Sequence, residues 1–98
     1  MIEVDPYLID TLMPDLVGHD RQPSALLVYL LLWRLTHGTG VTAVQIPLRD
    51  IAAGTGLSKR AVQEALARLA KRRLIEAVRE GITAVAVYTV LQPWKRKP

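Results

Sequence analysis

Residues 58–73 concentrate the side chains of this chain that can bind phosphate groups and the edges of nucleic-acid bases. Six Lys and Arg residues fall in this stretch against a single carboxylate, Glu64. Lys and Arg neutralise phosphates, Arg and Lys also pair with guanine, and Gln pairs with adenine. The best candidates for reading bases are Lys59, Arg60 and Gln63. The candidates for contacting a phosphate backbone are Ser58, Arg68, Lys71, Arg79, Lys95 and Arg96.

The charges of the chain are strongly segregated. Within a net charge of +4, residues 1–20 carry five Asp and Glu residues and no Lys or Arg, whereas residues 95–97 add three further cations. Such clustering places a positive potential on one part of the surface, and the expected polyanionic partner is nucleic acid. The alternative is a solvated helix in which Glu64 pairs with Arg60 and Arg68, each four residues away.

The basic side chains belong to a pattern of two helices joined by a tight turn. Residues 50–53 predict a short helix, and the sequence Gly-Thr-Gly at 54–56 is expected to break it, since Gly adopts positive φ without steric cost. Ser58 is a good N-cap for a second helix. That helix carries an apolar stripe formed by Val62, Ala65, Leu66 and Leu69. A short helix, a glycine turn and a basic amphipathic helix indicate a helix-turn-helix, whose second helix fits the major groove of DNA.

The segment before this motif is predicted to be helical. Asp5 followed by Pro6 is a good helix start, and Pro14 should bend or end the short helix that follows, which leaves a polar connection at residues 18–22. A nearly all-apolar helix should then run from Pro23 to about residue 36. A helix of this kind must be covered on more than one face.

Short β-branched runs predict three strands. They lie at residues 41–46, 75–79 and 82–90, and the Glu80-Gly81 pair between the last two is a hairpin signal. The predicted fold class is mainly α with a small β wing: a winged helix-turn-helix with a three-helix core, a two- to three-stranded antiparallel sheet and an N-terminal helical extension. The predicted divisions are the extension at 1–22, the winged helix-turn-helix domain at 23–92 and a basic tail at 93–98.

Over residues 44–91 the chain resembles the winged helix-turn-helix DNA-binding domain of GntR-type regulators. Ala52, Gly56 and Val62 occupy the small-residue, turn-glycine and core-apolar positions of the helix-turn-helix pattern. The run AVQEALARLAKRRLI, at 61–75, resembles the recognition helix and its exit. The chain departs from that pattern at Arg73, where the family usually has a glycine, and at Gly54 in the first helix. The resemblance implies DNA binding by a regulator.

The residue inventory argues against catalysis. Neither His19 nor His37 has the i, i+4 partner or the Cys neighbours of a metal site, and Ser24 and Ser58 are better explained as helix caps than as nucleophiles. Cys is absent, which excludes disulfides and favours a reducing cytoplasm. The longest apolar run, residues 25–33, is too short to span a bilayer. We expect no cofactor, no metal, no small-molecule site and no membrane association.

The function favoured by the sequence is binding of double-stranded DNA by a small, prokaryotic-type transcriptional regulator. Two alternatives stay open: a winged helix that binds protein, and a DNA-binding protein of plasmid or phage replication or partition.

A homodimer is expected, because a single winged helix reads few base pairs. The apolar helix at 25–35 offers a surface for it, and four residues could cover that surface, either from a second chain or, in a monomer, from the same chain: Tyr7, Leu8, Leu12 and Leu16.

Overall fold

Three α-helices pack against a small antiparallel sheet in the computed structural model, which describes residues 2–81 and 84–95. The helices are α1 (Pro23–Leu35), α2 (Leu48–Thr55) and α3 (Lys59–Lys71), and a short 3-10 turn, His37–Thr39, follows α1. The strands are β1 (Ala43–Gln45), β2 (Ile75–Val78) and β3 (Val87–Val90). Residues 2–20, which we call the N-terminal segment, contain two wider helical stretches, Leu8–Leu12 and Pro14–His19. The predicted winged helix-turn-helix fold with a helical extension is confirmed.

The N-terminal segment forms a widened helical run that continues past Pro14. The N–H of Met13 donates to the carbonyl of Leu8, and the N–H of Asp20 donates to the carbonyl of Asp15, each five residues back. Pro14 occupies the first position of the second stretch, where a missing N–H is tolerated. The prediction of a polar connection at residues 18–22 was therefore wrong in its first part, because the helical run extends to His19.

Helix α1 is covered by the N-terminal segment of its own chain. Leu8, Leu12 and Leu16 are at most 2 % exposed and share one core with Leu32 of α1. Of the two arrangements that the sequence allowed, cover from a second chain or cover from the same chain, the structure shows the second. On α1 itself, Leu27 faces outward and is 44 % exposed.

Helix α2 includes Gly54, which the sequence had assigned to a break. The helix runs to Thr55 and ends at Gly56, whose φ is +79° and whose N–H donates to the carbonyl of Ala52. A Cβ atom at position 54 would lie 2.9 Å from Cδ2 of Leu31 in α1. Gly54 therefore allows α2 to approach α1 closely, and only Gly56 acts as the terminator.

Both ends of α3 have satisfied backbone groups. Ser58 is the N-cap as predicted, because its Oγ accepts a hydrogen bond from the N–H of Ala61 at 3.1 Å. At the other end the N–H of Arg73 donates to Ala70 and that of Leu74 donates to Leu69, which is the Schellman pattern. Arg73 has a φ of +58° there, so it adopts the left-handed conformation for which glycine is usual.

The sheet has the strand order β1-β3-β2, and all its pairs are antiparallel. Ile75 pairs with Val90 and Val78 pairs with Val87, so the paired part of the wing ends at Val78 and Val87. The prediction of a strand from residue 82 was wrong in length: β3 begins at Val87, while Ile82 and Thr83 lie outside the described residues. The reason is that both neighbouring strands end opposite Val87, β1 at Gln45 and β2 at Val78, so the residues before Val87 have no strand on either side to pair with.

We expect replacement of Leu69 by Ala to reduce the free energy of unfolding by about 2–5 kcal/mol, because it leaves a cavity in a close-packed core. Leu69 is fully buried on the stripe of α3 that also contains Val62, Ala65 and Leu66. Urea denaturation followed by circular dichroism measures the change. Leu27→Ala, at an exposed position of α1, is the matched control and should change stability much less. Equal effects of the two substitutions would contradict the observed rotation of the buried faces.

Candidate nucleic-acid interface

The buried stripe of α3 determines which of its side chains face solvent. Because Val62, Ala65, Leu66 and Leu69 point into the core, Lys59, Arg60 and Gln63 lie on exposed positions in the first turns of the helix. The side chain of Arg60 is 90 % exposed. The structure thus brings the three predicted base-reading residues together on one accessible end of α3.

Arg60 forms an ion pair with Glu64 one turn along the helix. The distance from Arg60 Nε to Glu64 Oε1 is 3.5 Å, and both side chains are largely exposed. An exposed pair of this kind contributes little to stability, because water and salt screen it. Arg60 can therefore exchange Glu64 for another anion at low cost.

Three cations from three different elements line one cleft beside the start of α3. Arg49 belongs to the first turn of α2, Lys59 to the first turn of α3, and Arg79 to the residue after β2. We call this the basic cleft. Converging like charges are favoured only when a counter-charge is available, so the cleft suits a phosphate group or another anion.

The sequence analysis missed Arg49, because the adjacent Asp50 cancels its charge when net charge is summed over a short stretch. The distance from Arg49 Nε to Asp50 Oδ1 is 3.8 Å, and the Arg49 side chain is 80 % exposed. The feature that could have pointed to Arg49 is its position in the first turn of α2, directly after Pro47. The N-terminus of α2 lies next to the start of α3 at the basic cleft.

Tyr88 lies at the base of the basic cleft and also at the base of a neighbouring groove. Burial raises the pKa of Tyr88, and this outweighs the opposite effect of the nearby Arg79. The phenol is uncharged at neutral pH, and it forms a neutral wall that the basic cleft shares with the neighbouring groove.

The C-terminal half of α3 is engaged by its own chain. Arg72 donates to Asp15 Oδ2 at 2.8 Å and to Asp20 Oδ2 at 3.0 Å, and Arg68 donates from Nε to Gln22 Oε1 at 3.2 Å. Arg68 and Arg72 are both partly buried. The acidic N-terminal segment therefore neutralises part of the positive charge that the sequence had assigned to a DNA-facing surface, whereas Lys71 remains exposed.

These contacts shift the ionisation of the groups that form them. The hydrogen bond with His19 lowers the pKa of Asp20, and the hydrogen bond and charge of Arg72 act in the same direction against the effect of burial. The hydrogen bonds with Asp15 and Asp20 raise the pKa of Arg72. The carboxylate of Asp20 is thus stabilised in its charged form.

Lys95 lies with the N-terminal segment. Its Nζ is 3.6 Å from Asp5 Oδ2, and Trp94 donates to the same oxygen at 3.2 Å while its ring stacks on Tyr7. Arg96, the last predicted backbone contact, lies outside the described residues. The structure therefore does not bring Lys95 into the basic cleft.

Metal sites, the environment of His37 and membrane-spanning helices can also be assessed over the described residues. Over residues 2–81 and 84–95, no group of three or more His, Cys, Asp and Glu side chains could hold a metal ion. His37 has a structural environment, because its ring stacks on Trp33 and its Nε2 lies 3.3 Å from the carbonyl oxygen of Val90. Among these same residues, no helix is both long and apolar enough to cross a membrane.

Comparison with known proteins identifies the central part of the chain. A family model described as "Helix-turn-helix domain" matches residues 22–75, which include α1, α2 and α3. Neither the curated proteins nor the solved structures gave a match. The matched family points to DNA binding, and it does not distinguish GntR-type regulators from other helix-turn-helix proteins.

We expect replacement of Asp20 by Asn to destabilise the protein at neutral pH, because Arg72 and His19 lose a charged acceptor. Asp20 has a lowered pKa in the folded state, so its contribution is fully present above the ordinary Asp value of about 3.9 and is lost as pH falls through the lowered value. The difference between the variant and the parent should shrink below about pH 4. Denaturation at a series of pH values measures it.

Asp10→Asn is the matched control for this experiment, because Asp10 is an exposed carboxylate of the same segment. It should have little effect at any pH. A stability difference for Asp20→Asn that is unchanged at low pH would contradict the ionic origin of the contact.

Proposed function

We propose that this chain, which belongs to the helix-turn-helix domain family, binds double-stranded DNA with α3 in the major groove and acts as a small transcriptional regulator. The observation that carries the proposal is the orientation of α3. Its buried stripe leaves Arg60 and Gln63 exposed in the first turns of the helix, together with Lys59, which lines the basic cleft. An α-helix fits the width of the major groove, and flanking cations then meet the phosphates.

The residues of the interface divide into two roles. Lys59, Arg60 and Gln63 are proposed to read base edges, because their side chains match guanine and adenine and occupy the exposed start of α3. Three of the predicted contacts with the phosphate backbone are kept: Ser58, Lys71 and Arg79. Arg49, from the basic cleft, is added to them.

Two of the predicted backbone contacts are less favourable. Arg68 donates to Gln22, and Lys95 is close to Asp5, so each would have to leave a partner of its own chain before it could bind phosphate. We therefore place both outside the main interface. The helix-turn-helix fold supports DNA as the partner over a protein-binding module, and a plasmid or phage replication protein would use the same surface.

The homodimer remains a prediction, but its interface must lie elsewhere than on the apolar face of α1. The apolar face of α1 is covered by the same chain, but the outer face of the N-terminal segment exposes Ile9, Met13 and Val17, between 36 % and 48 % each. Asp15 and Asp20 pair with Arg72, which reduces the repulsion between two such segments. Sedimentation of the full chain with and without duplex DNA tests this proposal. A chain that is monomeric when free, and that still binds tightly to DNA as a single copy, contradicts it.

For DNA binding itself, we expect Arg60→Ala to weaken binding to the preferred sequence by about 1–3 kcal/mol and to flatten the preference at one base position. Lys71→Ala and Arg79→Ala should weaken binding to all sequences alike, and each should reduce the slope of log K against log salt by about one. Selection from random duplex DNA defines the preferred sequence, and fluorescence anisotropy over a salt series measures both effects.

Arg34→Ala is the matched control, because Arg34 is an exposed arginine near the end of α1 and outside the basic cleft. It should leave both the affinity and the salt slope close to those of the parent. If Arg34→Ala and Arg79→Ala reduced the slope equally, binding would depend on net charge alone and the proposed interface would be wrong.

A further inference from the structure

An apolar groove runs between α3 and the first wing strand, on the side of α3 that faces the sheet. Its walls are Ala67 and Ala70 from α3 and Ala77 and Val78 from β2, and Tyr88 lies at its base. Val78 is 54 % exposed, although it belongs to a strand of the small sheet. The groove is therefore an apolar surface open to solvent, and we call it the apolar groove.

The position of the apolar groove places it inside the proposed DNA interface. Gln63 and Arg79 line the same groove, and one of them is a proposed base-reading residue and the other a proposed phosphate contact. Ala67 also lines the polar cleft on the opposite side of α3, together with Glu64 and Lys71. A residue that borders both clefts stands on the ridge of the helix, where it would enter the major groove most deeply.

Only one chemical group in the major groove of DNA is suited to contact an apolar surface in this position. Base edges there present hydrogen-bond donors, acceptors and one kind of apolar group, the C5-methyl of a pyrimidine. Phosphate oxygens would lose hydration against alanine and valine without compensation, which is unfavourable. Arg79, which lines the same groove, can bind the phosphates that border such a base.

We infer that the apolar groove recognises C5-methyl groups of pyrimidines in double-stranded DNA, and that it makes Ala67 and Val78 specificity-determining residues. This inference rests on the proposed function. The methyl group can come from thymine or from 5-methylcytosine, which share this chemistry. Where thymine supplies it, the recognised pairs are A·T pairs next to the base that Gln63 reads.

The inference is tested on the duplex that the protein selects from random DNA. Each thymine is replaced in turn by uracil, and each cytosine by 5-methylcytosine, since these changes remove or add only the methyl group. Removal of a methyl that enters the groove should weaken binding about fourfold, which corresponds to the transfer of one such group from water. Where a cytosine lies against the groove, addition of a methyl group to it should strengthen binding by a similar factor.

Protein variants assign the effect to the groove. Val78→Thr keeps the shape of the side chain and replaces one methyl with a hydroxyl, and Ala67→Ser makes the ridge polar; both should lose the difference between thymine and uracil. Val41→Thr is the matched control at a valine 49 % exposed outside the groove, and it should keep that difference. Melting midpoints of the three variants verify that each is folded.

The possible results are distinct. An effect of thymine alone or of 5-methylcytosine alone supports the inference and identifies the source of the methyl group. Tight DNA binding that is indifferent to every methyl, or a methyl effect that survives Val78→Thr and Ala67→Ser, overturns the inference and leaves the proposed function intact. Failure of the parent protein to bind any duplex at low salt overturns both.

Discussion

Burial of one apolar stripe of α3 is the constraint on which the rest of the structure depends. Val62, Ala65 and Leu69 are completely buried, and α3 contacts both α1 and α2. A helix held along such a stripe cannot rotate without exposing these side chains to water, which would cost about 1.5–3 kcal/mol for each large one. The outward direction of Arg60, Gln63 and Ala67 is a direct consequence of that packing.

The N-terminal segment adds a second level of control over α3. Its leucines cover α1, against which α3 packs, and two of its carboxylates hold Arg72 at the end of α3. The positive charge of α3 is thereby divided along the helix. Cations at its start are exposed beside the basic cleft, whereas Arg68 and Arg72 are paired within the chain. The surface that remains for a polyanion is the start of α3 with the adjoining wing.

Features with a local signal could be predicted from the sequence. The period of the apolar stripe identified the buried face of α3, and Ser58 identified its first residue, because both depend on residues within a few positions of each other. The same holds for Gly56 as a terminator and for Asp5, whose carboxylate accepts from the N–H of Tyr7.

Features that depend on distant partners could not be predicted in this way. Gly54 looked like a helix breaker, although its role is set by Leu31 in another helix. The start of β3 at Val87 depends on where its two neighbours end, at Gln45 of β1 and Val78 of β2. Arg49 joins the candidate site only because α2, α3 and the wing converge. In each case the deciding contact joins residues that are far apart in the sequence, so a pattern of neighbouring residues cannot reveal it.

The most direct measurement is the change of backbone amide chemical shifts when duplex DNA is added to the isotopically labelled chain at low salt. We expect the largest changes at Lys59, Arg60, Gln63 and Ala67, with further changes at Arg49 and Arg79 around the basic cleft. The amides of Leu8, Leu12 and Arg72 should change little, because both leucines are buried and Arg72 is paired with Asp15 and Asp20 of its own chain. Largest changes in the N-terminal segment, with α3 unaffected, would contradict the assignment of the exposed face of α3 to DNA.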